Sequence, residues 1–341
     1  MTKELKIIRY HTHYQENWDK FVSQACNATF LFYRNFMDYH SDRYIDHSLM
    51  LFSDNELIAI FPANEQEDTI YSHKGLTYGG IAYTNLLSSW TNSLLQNLEA
   101  ILSKIIIYYQ NQGFKKLIFK EIPFFYAHFD FSKILRIMKK VAVIQEDIGA
   151  VIHLQKPFHY WHGRKQSIKK ASLVNPPLKI LSNAYSPHSE EYTNKELPFL
   201  LSDFWNEVLI PQLKNKYHLT PTHSLAEITL LALRFPKNIK QYNVYYDNSI
   251  VAGTTIFENN QVVHCQYISS NDLGRKLFAS DLLFHYIMTE KYKNFHYLSF
   301  GISNEHGSNL INQGLLAWKM SWGAQTCEHL HWEIDLEKIT H

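Results

Sequence analysis

Glycine is scarce in this chain. Its 341 residues include 12 glycines, about half of what an average usage near 7% would supply. Such a chain should keep glycine for places where backbone geometry demands it. Cysteine is scarcer still. Cys26, Cys265 and Cys327 are odd in number and widely spaced, which excludes a disulfide framework and a Cys-x-x-Cys zinc pair and fits a reducing compartment. Long apolar runs are missing, since Ile105–Ile107 and Leu230–Leu233 fall far short of the ~20 residues a membrane span needs. The opening MTKELKIIRYHTHY lacks the apolar stretch of a secretion signal. An excess of one charge is missing too: 33 Lys+Arg against 32 Asp+Glu leave +1. No broad basic field offers itself to a polyanion, so nucleic acid is not an expected partner. The remainder is 45% hydrophobic and 19% charged, enough to build large cores. At about 100–200 residues per domain the length predicts two. The expectation is a soluble, cytoplasmic protein of two domains, with no membrane partner and an oligomeric state left open.

No repeat of short period and no low-complexity tract interrupts the chain, yet its halves read alike. In the first, Ser48–Ser53 and Glu56–Ala63 are β-rich runs joined by Asp54-Asn55, a hairpin signal. A strand near Thr69–Ser72 follows, then a helix from about Ser89 to Gln112, capped at Ser88 or Ser89 and stopped by Gly113, then strand Lys115–Lys120. In the second, Glu191–Lys214 and His223–Leu233 read as helical, interrupted or bounded by Pro198, Pro211, Pro221 and Pro236. Gln241–Tyr246, Ile250–Glu258 and Gln261–Ser269 then form a meander turning at Asp247-Asn248 and Asn259-Asn260. Helix Ala279–Lys291, strand Tyr297–Phe300, helix Asn309–Ser321 and strand Gln325–Ile334 close the pattern. The cut falls near 150–160, giving domains 1-155 and 156-341.

Eight of the twelve glycines crowd into two windows, Gly75 to Gly80 and Gly274 to Gly323, which together make about a sixth of the chain; Gly79, Gly301, Gly307 and Gly314 lie inside them. Glycine gathered after strands marks loops whose amides approach a ligand. The strongest pattern is Val262 to Lys276, a buried strand running into the polar loop Ser269-Ser270-Asn271-Asp272-Leu273-Gly274-Arg275-Lys276 and then into a helix. First-turn and loop amides there can bind phosphate, with Arg275 and Lys276 adding charge; an ordinary connection with two solvated cations is the plainer alternative. Neither Gly-x-x-x-x-Gly-Lys-Ser/Thr nor Gly-x-Gly-x-x-Gly is present, which excludes P-loop and Rossmann readings.

This order of elements and this loop resemble the acyl-CoA-dependent N-acyltransferases of the GNAT superfamily. Phe300-Gly301-Ile302-Ser303-Asn304, Asn312-Gln313-Gly314-Leu315-Leu316-Ala317-Trp318-Lys319 and Trp322-Gly323-Ala324 are similar to the Fem-type double-GNAT signature, and Arg164–Ala171 resembles that group's basic helix. Arg34 to Arg43, Ser72 to Gly80 and Pro221 to Ile228 resemble the double-GNAT sugar N-acyltransferases of bacterial surface-polysaccharide pathways, over about residues 20–334. The resemblance implies an α/β (α+β) fold of two GNAT-like domains, each a mixed, mostly antiparallel sheet flanked by helices. It also implies an enzyme moving an acyl group, such as 3-hydroxybutanoyl or acetyl, from coenzyme A to the amino group of a dTDP-linked amino-dideoxysugar. Acyl-CoA is then the co-substrate, held on the second domain, and the nucleotide sugar belongs to the first. The chain departs from the wider pattern in two ways. Gly274 stands alone, with Ala279 five residues on, and Asn309–Ser321 contains no tyrosine to protonate a leaving thiolate.

Amide formation from a thioester needs a neutral amine, a polarised carbonyl and a thiolate that can leave. The resemblance takes the carbonyl's backbone donor from Tyr267, Ile268 or Ser269, and the rest of the coenzyme site from Gly274, Arg275, Lys276, Ser280 and Asn304. Strand alternation puts His264, Gln266 and Ile268 on one face, which makes His264 a candidate base beside His223, His73 and Asp281. Each has a structural alternative: a hydrogen-bonded core histidine, or for Asp281 a helix cap. Arg34, Tyr39, His40, Arg43, Lys74 and Tyr78 form polar-aromatic clusters whose cations suit a diphosphate and whose rings suit a sugar or thymine. The plainer alternative is a solvated helix face and a hairpin loop. His11-x-His13 and His329-x-His331 have no third ligand at usable spacing, so no metal is expected. No Gly-x-Ser-x-Gly appears, so direct attack by the amine is expected over an acyl-enzyme. Two other readings share the motifs: a Fem-type peptidyltransferase using aminoacyl-tRNA, and a catalytically silent GNAT-fold interaction protein.

Overall fold

A computed structural model describes residues 5–84, 93–127, 129–183, 193–305 and 308–339. Its strands are β1 Leu5–Arg9, β2 Ile45–Asp46, β3 Leu49–Ser53, β4 Glu56–Phe61, β5 Asn64–Gln66, β6 Thr69–Tyr71, β7 Ala82–Tyr83, β8 Lys116–Lys120, β9 Val141–His153, β10 Lys179–Ser182, β11 Ile239–Tyr246, β12 Ser249–Asn259, β13 Val262–Ser270, β14 Tyr297–Ile302 and β15 Gln325–Asp335. The helices are α1 Gln15–Gln24, α2 Arg34–Met37, α3 Leu94–Asn111, α4 Ser132–Leu135, α5 His162–Ser172, α6 Thr193–Asp203, α7 Ile210–Tyr217, α8 Leu225–Arg234, α9 Asp272–Lys276, α10 Ala279–Tyr286 and α11 Gln313–Met320. Among the described residues no helix is long and apolar enough to cross a membrane.

Two compact units emerge. One is Met1–Asp147 with Glu328–His341, and the other is Ile148–Cys327. Against the expected blocks 1-155 and 156-341, the last fourteen residues lie with the first unit. Strand pairing gives the reason. Residues His331–Asp335 of β15 pair antiparallel with Lys116–Lys120 of β8, and Gly149–His153 of β9 pair with β14. The end of β9, Gly149–His153, therefore serves the second unit, and the end of β15, His331–Asp335, serves the first.

In the first unit, β1-β3-β4-β7 are antiparallel neighbours, and β15-β8-β6-β5-β2 form a second run in which only β6 and β8 are parallel. Asp54 and Asn55, both with positive φ, make the two-residue turn that the sequence predicts for the β3–β4 hairpin. The expected caps at Ser88 and Ser89 lie outside the described residues, and so do Gly307 and the expected helix start at Glu191. Helix α3 begins after Ser93. It buries Leu98, Ile101, Leu102, Ile105, Ile106 and Tyr109, the 3–4 spacing of one apolar face. Gly113, at φ +86°, ends it.

The second unit repeats the plan as β10-β11-β12-β13-β14-β9, antiparallel apart from β13 and β14. Alternate residues of β11 face different helices. Tyr242 and Val244 join the core with Leu283 and Phe284 of α10, whereas Asn243 donates to the Leu200 carbonyl of α6 at 2.9 Å. Helix α8 starts at a capping box in which Ser224 and Glu227 bond each other's main-chain amides. Expected helix and strand positions agree with the observed ones to within a few residues. Both units are thus mixed, mostly antiparallel sheets flanked by helices.

Gly274 sits in α9 where a Cβ would lie 2.1 Å from the Val251 carbonyl oxygen. Gly274→Ala should therefore cost about 1–3 kcal/mol, measured as a lowered urea midpoint. Gly163→Ala in α5, where a Cβ meets nothing within 4 Å, should be neutral or stabilising by up to about 1 kcal/mol.

Candidate active site

In the second unit, β13 and β14 are in register for three pairs only: Val262↔Tyr297, Val263↔Leu298 and His264↔Ser299. β13 continues to Ser270 and β14 to Ile302, so the strands part beyond His264. Irregularities on both flanks explain why. Opposite β12, Thr255 pairs with Tyr267 and Ile256 with Cys265, which leaves Gln266 as an extra residue, a bulge that bends the strand. The register of β14 on β9 shifts between Ser299 and Ile302, at Gly301 with φ +68°. The extra residue changes the phase of the two-residue repeat, so the expected alternation placing His264 and Ile268 on one face does not hold across it.

Lys319 of α11 holds the diverging strand. Its Nζ donates to the carbonyls of Gly301 at 2.9 Å and Ile302 at 2.5 Å, and the side chain is only 2% exposed. Burial pulls its pKa down to about 8, with Cys265 and Cys327 opposing the shift. The sequence shows this lysine in its motif without assigning it a role; an ammonium inside the apolar run Leu315 to Met320 is the signal that marks it. His264 stands at the crotch of the fork. Its Nδ1 lies 3.2 Å from Ser299 Oγ, which accepts from the Gly301 amide at 3.2 Å. A Cβ on Gly301 would lie 3.3 Å from His264 Cε1, so the glycine lets the strand turn tightly against the ring. Past the fork, alternate amides of Tyr267, Ile268 and Ser269 point away from β12, as antiparallel geometry requires. Those are the three residues that the resemblance names as candidate carbonyl donors.

The other expected residues distribute as follows. His223 Nδ1 is 2.6 Å from the Tyr267 hydroxyl, and the His223 amide donates to the same oxygen at 3.1 Å. Burial pushes the Tyr267 phenol up to about 12, so the pair reads as an anchor for β13. Asp281 is buried and accepts from Arg164 at 2.7 Å. Arg164 also donates to Ser321 Oγ at 2.7 Å and lies over the Trp318 and Trp322 rings. Asp281 thus clamps α5 to α10; burial raises its pKa and the guanidinium opposes the rise.

The loop's groups are engaged within the loop and, through Arg275, with α7. Asn271 Oδ1 accepts the Gly274 amide at 2.8 Å, and the Asn271 carbonyl accepts the Arg275 amide at 3.0 Å. The Arg275 guanidinium folds back onto the Ser270 carbonyl, Asp272 and Gln212. Lys276 is exposed, and Ser280 is half-buried in the first turn of α10. Asn304 Oδ1 accepts the Ile148 amide at 2.7 Å, so its side-chain oxygen serves the main chain.

In the first unit, two expected acceptor residues are packed inside. Arg34 is 2% exposed, paired with Asp38 at 2.6 Å and Asp46 at 2.9 Å, with Tyr10 under its guanidinium at 3.9 Å. Tyr78 is 2% exposed, lies against the Tyr126 ring, and burial drives its phenol up to about 12. Tyr39 stacks on His40 and carries Arg43 over its ring at 5.3 Å. His40 and His73 stack at 5.0 Å, and burial lowers both pKa values, His40 to about 4. Both rings are accordingly neutral at pH 7. His73 and Lys74 line one cavity of the first unit, and the Lys74 ammonium lies 4.2 Å from the Tyr71 ring centre. Among the described residues no group of three or more His, Cys, Asp or Glu side chains is placed to hold a metal ion.

No protein-family model and no curated protein sequence matches the chain. Solved structures do. The fold is similar to that of FemX, with a TM-score of 0.64 at 10% identity over 97% of each chain. It is also similar to the C-terminal domain of a putative lysylphosphatidylglycerol synthetase from Agrobacterium fabrum, with a TM-score of 0.58 at 9% identity over 95% of this chain and 91% of that one. A conserved protein of unknown function from Bacteroides thetaiotaomicron gives 0.56 at 10% identity over 97% and 99%. The fold is thus FemX-like, with mixed, mostly antiparallel sheets flanked by helices in each unit.

Lys319→Met should leave two inward-facing carbonyls without their donor and lower unfolding stability by about 1–3 kcal/mol. Urea denaturation measures this, and an unchanged midpoint would remove Lys319 as the holder of the fork.

Proposed function

We propose that the chain is an N-acyltransferase that moves an acyl group from coenzyme A to the amino group of a nucleotide-linked amino sugar. The observation that carries this reading is the fork: two parallel strands held together by three residue pairs and then parted by a bulge on one and a lysine-held turn on the other. A thioester laid into such an opening meets main-chain amides of β13 on one side. Donors fixed in a strand polarise the carbonyl at no reorganisation cost.

The reaction then needs little from side chains. The amine nitrogen attacks the thioester carbon, a carbon–nitrogen bond forms, and the carbonyl oxygen takes up charge facing an amide of Tyr267, Ile268 or Ser269. The carbon–sulfur bond breaks, coenzyme A leaves as thiolate, and the proton lost by nitrogen restores the thiol. His264, beside the paired end of the fork, is the side chain we assign to proton acceptance, with Ser299 orienting its ring. Asp281 and His223 are positioning residues in this scheme. On the resemblance of Ser72 to Gly80, the acceptor belongs to the first unit, near Tyr39, Arg43, His73 and Lys74, and the enzyme works in the cytoplasm without a metal.

The test is free-thiol release on mixing the protein with an acyl-CoA and a thymidine-diphosphate amino sugar. Release that requires both substrates is expected. His264→Ala should lower kcat by about 10²–10⁴ while leaving coenzyme A binding intact. Absence of both thiol release and coenzyme A binding would overturn the reading, and transfer from charged tRNA would replace it with aminoacyl transfer.

A further inference from the structure

His73 and Lys74, near which the scheme places the acceptor, line a cavity of the first unit whose other groups the scheme leaves unassigned. It measures about 430 Å³ and lies along one face of β6, β8 and β15; its wall includes Ser72, Lys74, Lys116, Lys120, His331 and Glu333. This size falls in the range of small-molecule sites.

Its charges do not cancel. Lys116 is matched by Glu333 at 3.2 Å. Lys120 and Lys74 are bonded to neutral oxygens: Lys120 Nζ donates to the Leu76 carbonyl at 2.9 Å, and Lys74 Nζ to Gln66 Oε1 at 2.7 Å. Each ammonium has three N–H donors, so each keeps capacity after that bond. The carboxylate whose field reaches Lys120 is Asp147. It is committed elsewhere, accepting from His331 Nε2 at 3.1 Å and Gln145 Nε2 at 2.8 Å. The Lys120 main chain is fixed by the segment after β6, since its amide donates to Ser72 Oγ at 2.7 Å. Two lysines on one cavity wall, each bonded to neutral oxygen, call for a ligand with several anionic oxygens.

We propose that this cavity is an anion site that takes the diphosphate of a nucleotide, with Lys120 and Lys74 as its cations. The proposal deepens the acceptor reading above and rests on it for what the diphosphate carries; the anion site itself rests on the cavity. Lys120 was not among the residues that the sequence marked. It ends a strand whose alternation gives no hint that β15 and β9 bring His331 and Asp147 beside it.

The charged and titratable groups around Lys120 are Tyr71 of β6, His73 and Lys74 from the loop after it, Asp147 from β9, His331 and Glu333 from β15, and Lys116 on β8 itself. Burial lowers the Lys120 pKa to about 8, with Asp147 opposing the shift. Raising the pH from 7 to 9 therefore discharges this lysine while ordinary lysines stay protonated, so anion binding should weaken across that window.

Isothermal titration of the full chain with inorganic pyrophosphate and with thymidine diphosphate tests this. Both should bind, the nucleotide more tightly. Lys120→Met should weaken binding about tenfold or more. Lys120→Arg should bind at pH 7 and keep its affinity to pH 9, and Lys6→Met, on β1, should behave as wild type. Equal affinity in Lys120→Met, no pyrophosphate binding by wild type, or pyrophosphate binding without thymidine diphosphate binding would each overturn the proposal. Coenzyme A binding and thiol release are read on the same samples. If they persist while the anion fails to bind, this site falls and the acyl-transfer reading stands; anion binding without thiol release or coenzyme A binding leaves the site and removes the transferase.

Discussion

The structure turns on the parting of two parallel strands after their third residue pair. Parallel neighbours in a sheet normally keep bonding along their common length, so ending the ladder at His264 and Ser299 must be enforced. The bulge at Gln266 bends one strand and the positive-φ Gly301 turns the other. Lys319 then supplies N–H groups to the two carbonyls that the lost ladder would leave unmatched. Burying an ammonium is costly unless it is bonded, and here the bonds are ones the backbone itself needs. The same contact stabilises the lysine and keeps the strands apart.

The first unit has the corresponding parallel pair, with Thr69, Ile70 and Tyr71 opposite Lys116, Leu117 and Ile118. The Ser72 amide extends the contact by one bond to the Ile118 carbonyl. Along its face lie Lys74, Lys116 and Lys120, where the fork of the second unit has strand amides and one lysine committed to main-chain carbonyls. One architecture thus presents two chemistries: a face of lysine side chains in one unit and strand amides in the other.

Much of this was legible in the sequence, and the failures have physical reasons. The twofold order of strands and helices followed from apolar spacing and from the turn pairs Asp54-Asn55 and Asp247-Asn248, because these signals are local. The segments holding Gly301 and Lys319 carry a family resemblance in the sequence, but only the fold shows that they shape the fork. Arg34 and Tyr78 were read as binding groups because polar-aromatic clusters look alike whether they face a ligand or Asp46 and Tyr126; only the fold supplies those partners. The bulge escaped notice because an extra residue in one strand is defined by its neighbour. His331 and Asp147 could not be joined to Lys120 from sequence, since strand pairing brings His331 across 211 positions to that lysine.

The route of β9 and β15 bears on how such a chain can be made. The segment Met1–Asp147 contains β8, but its partner His331–Asp335, with Leu330, Trp332, Ile334 and Leu336 of the core, follows the whole of the second unit in the chain. On the ribosome the first unit waits with one flank of β8 unsealed until the second unit has been made. Exposed strand edges of this kind recruit wrong partners. The chain therefore cannot mature one unit at a time in the order it is read. A simple split at Asp147 would leave the first unit without the partner of β8, because the second unit is inserted into the first rather than appended to it.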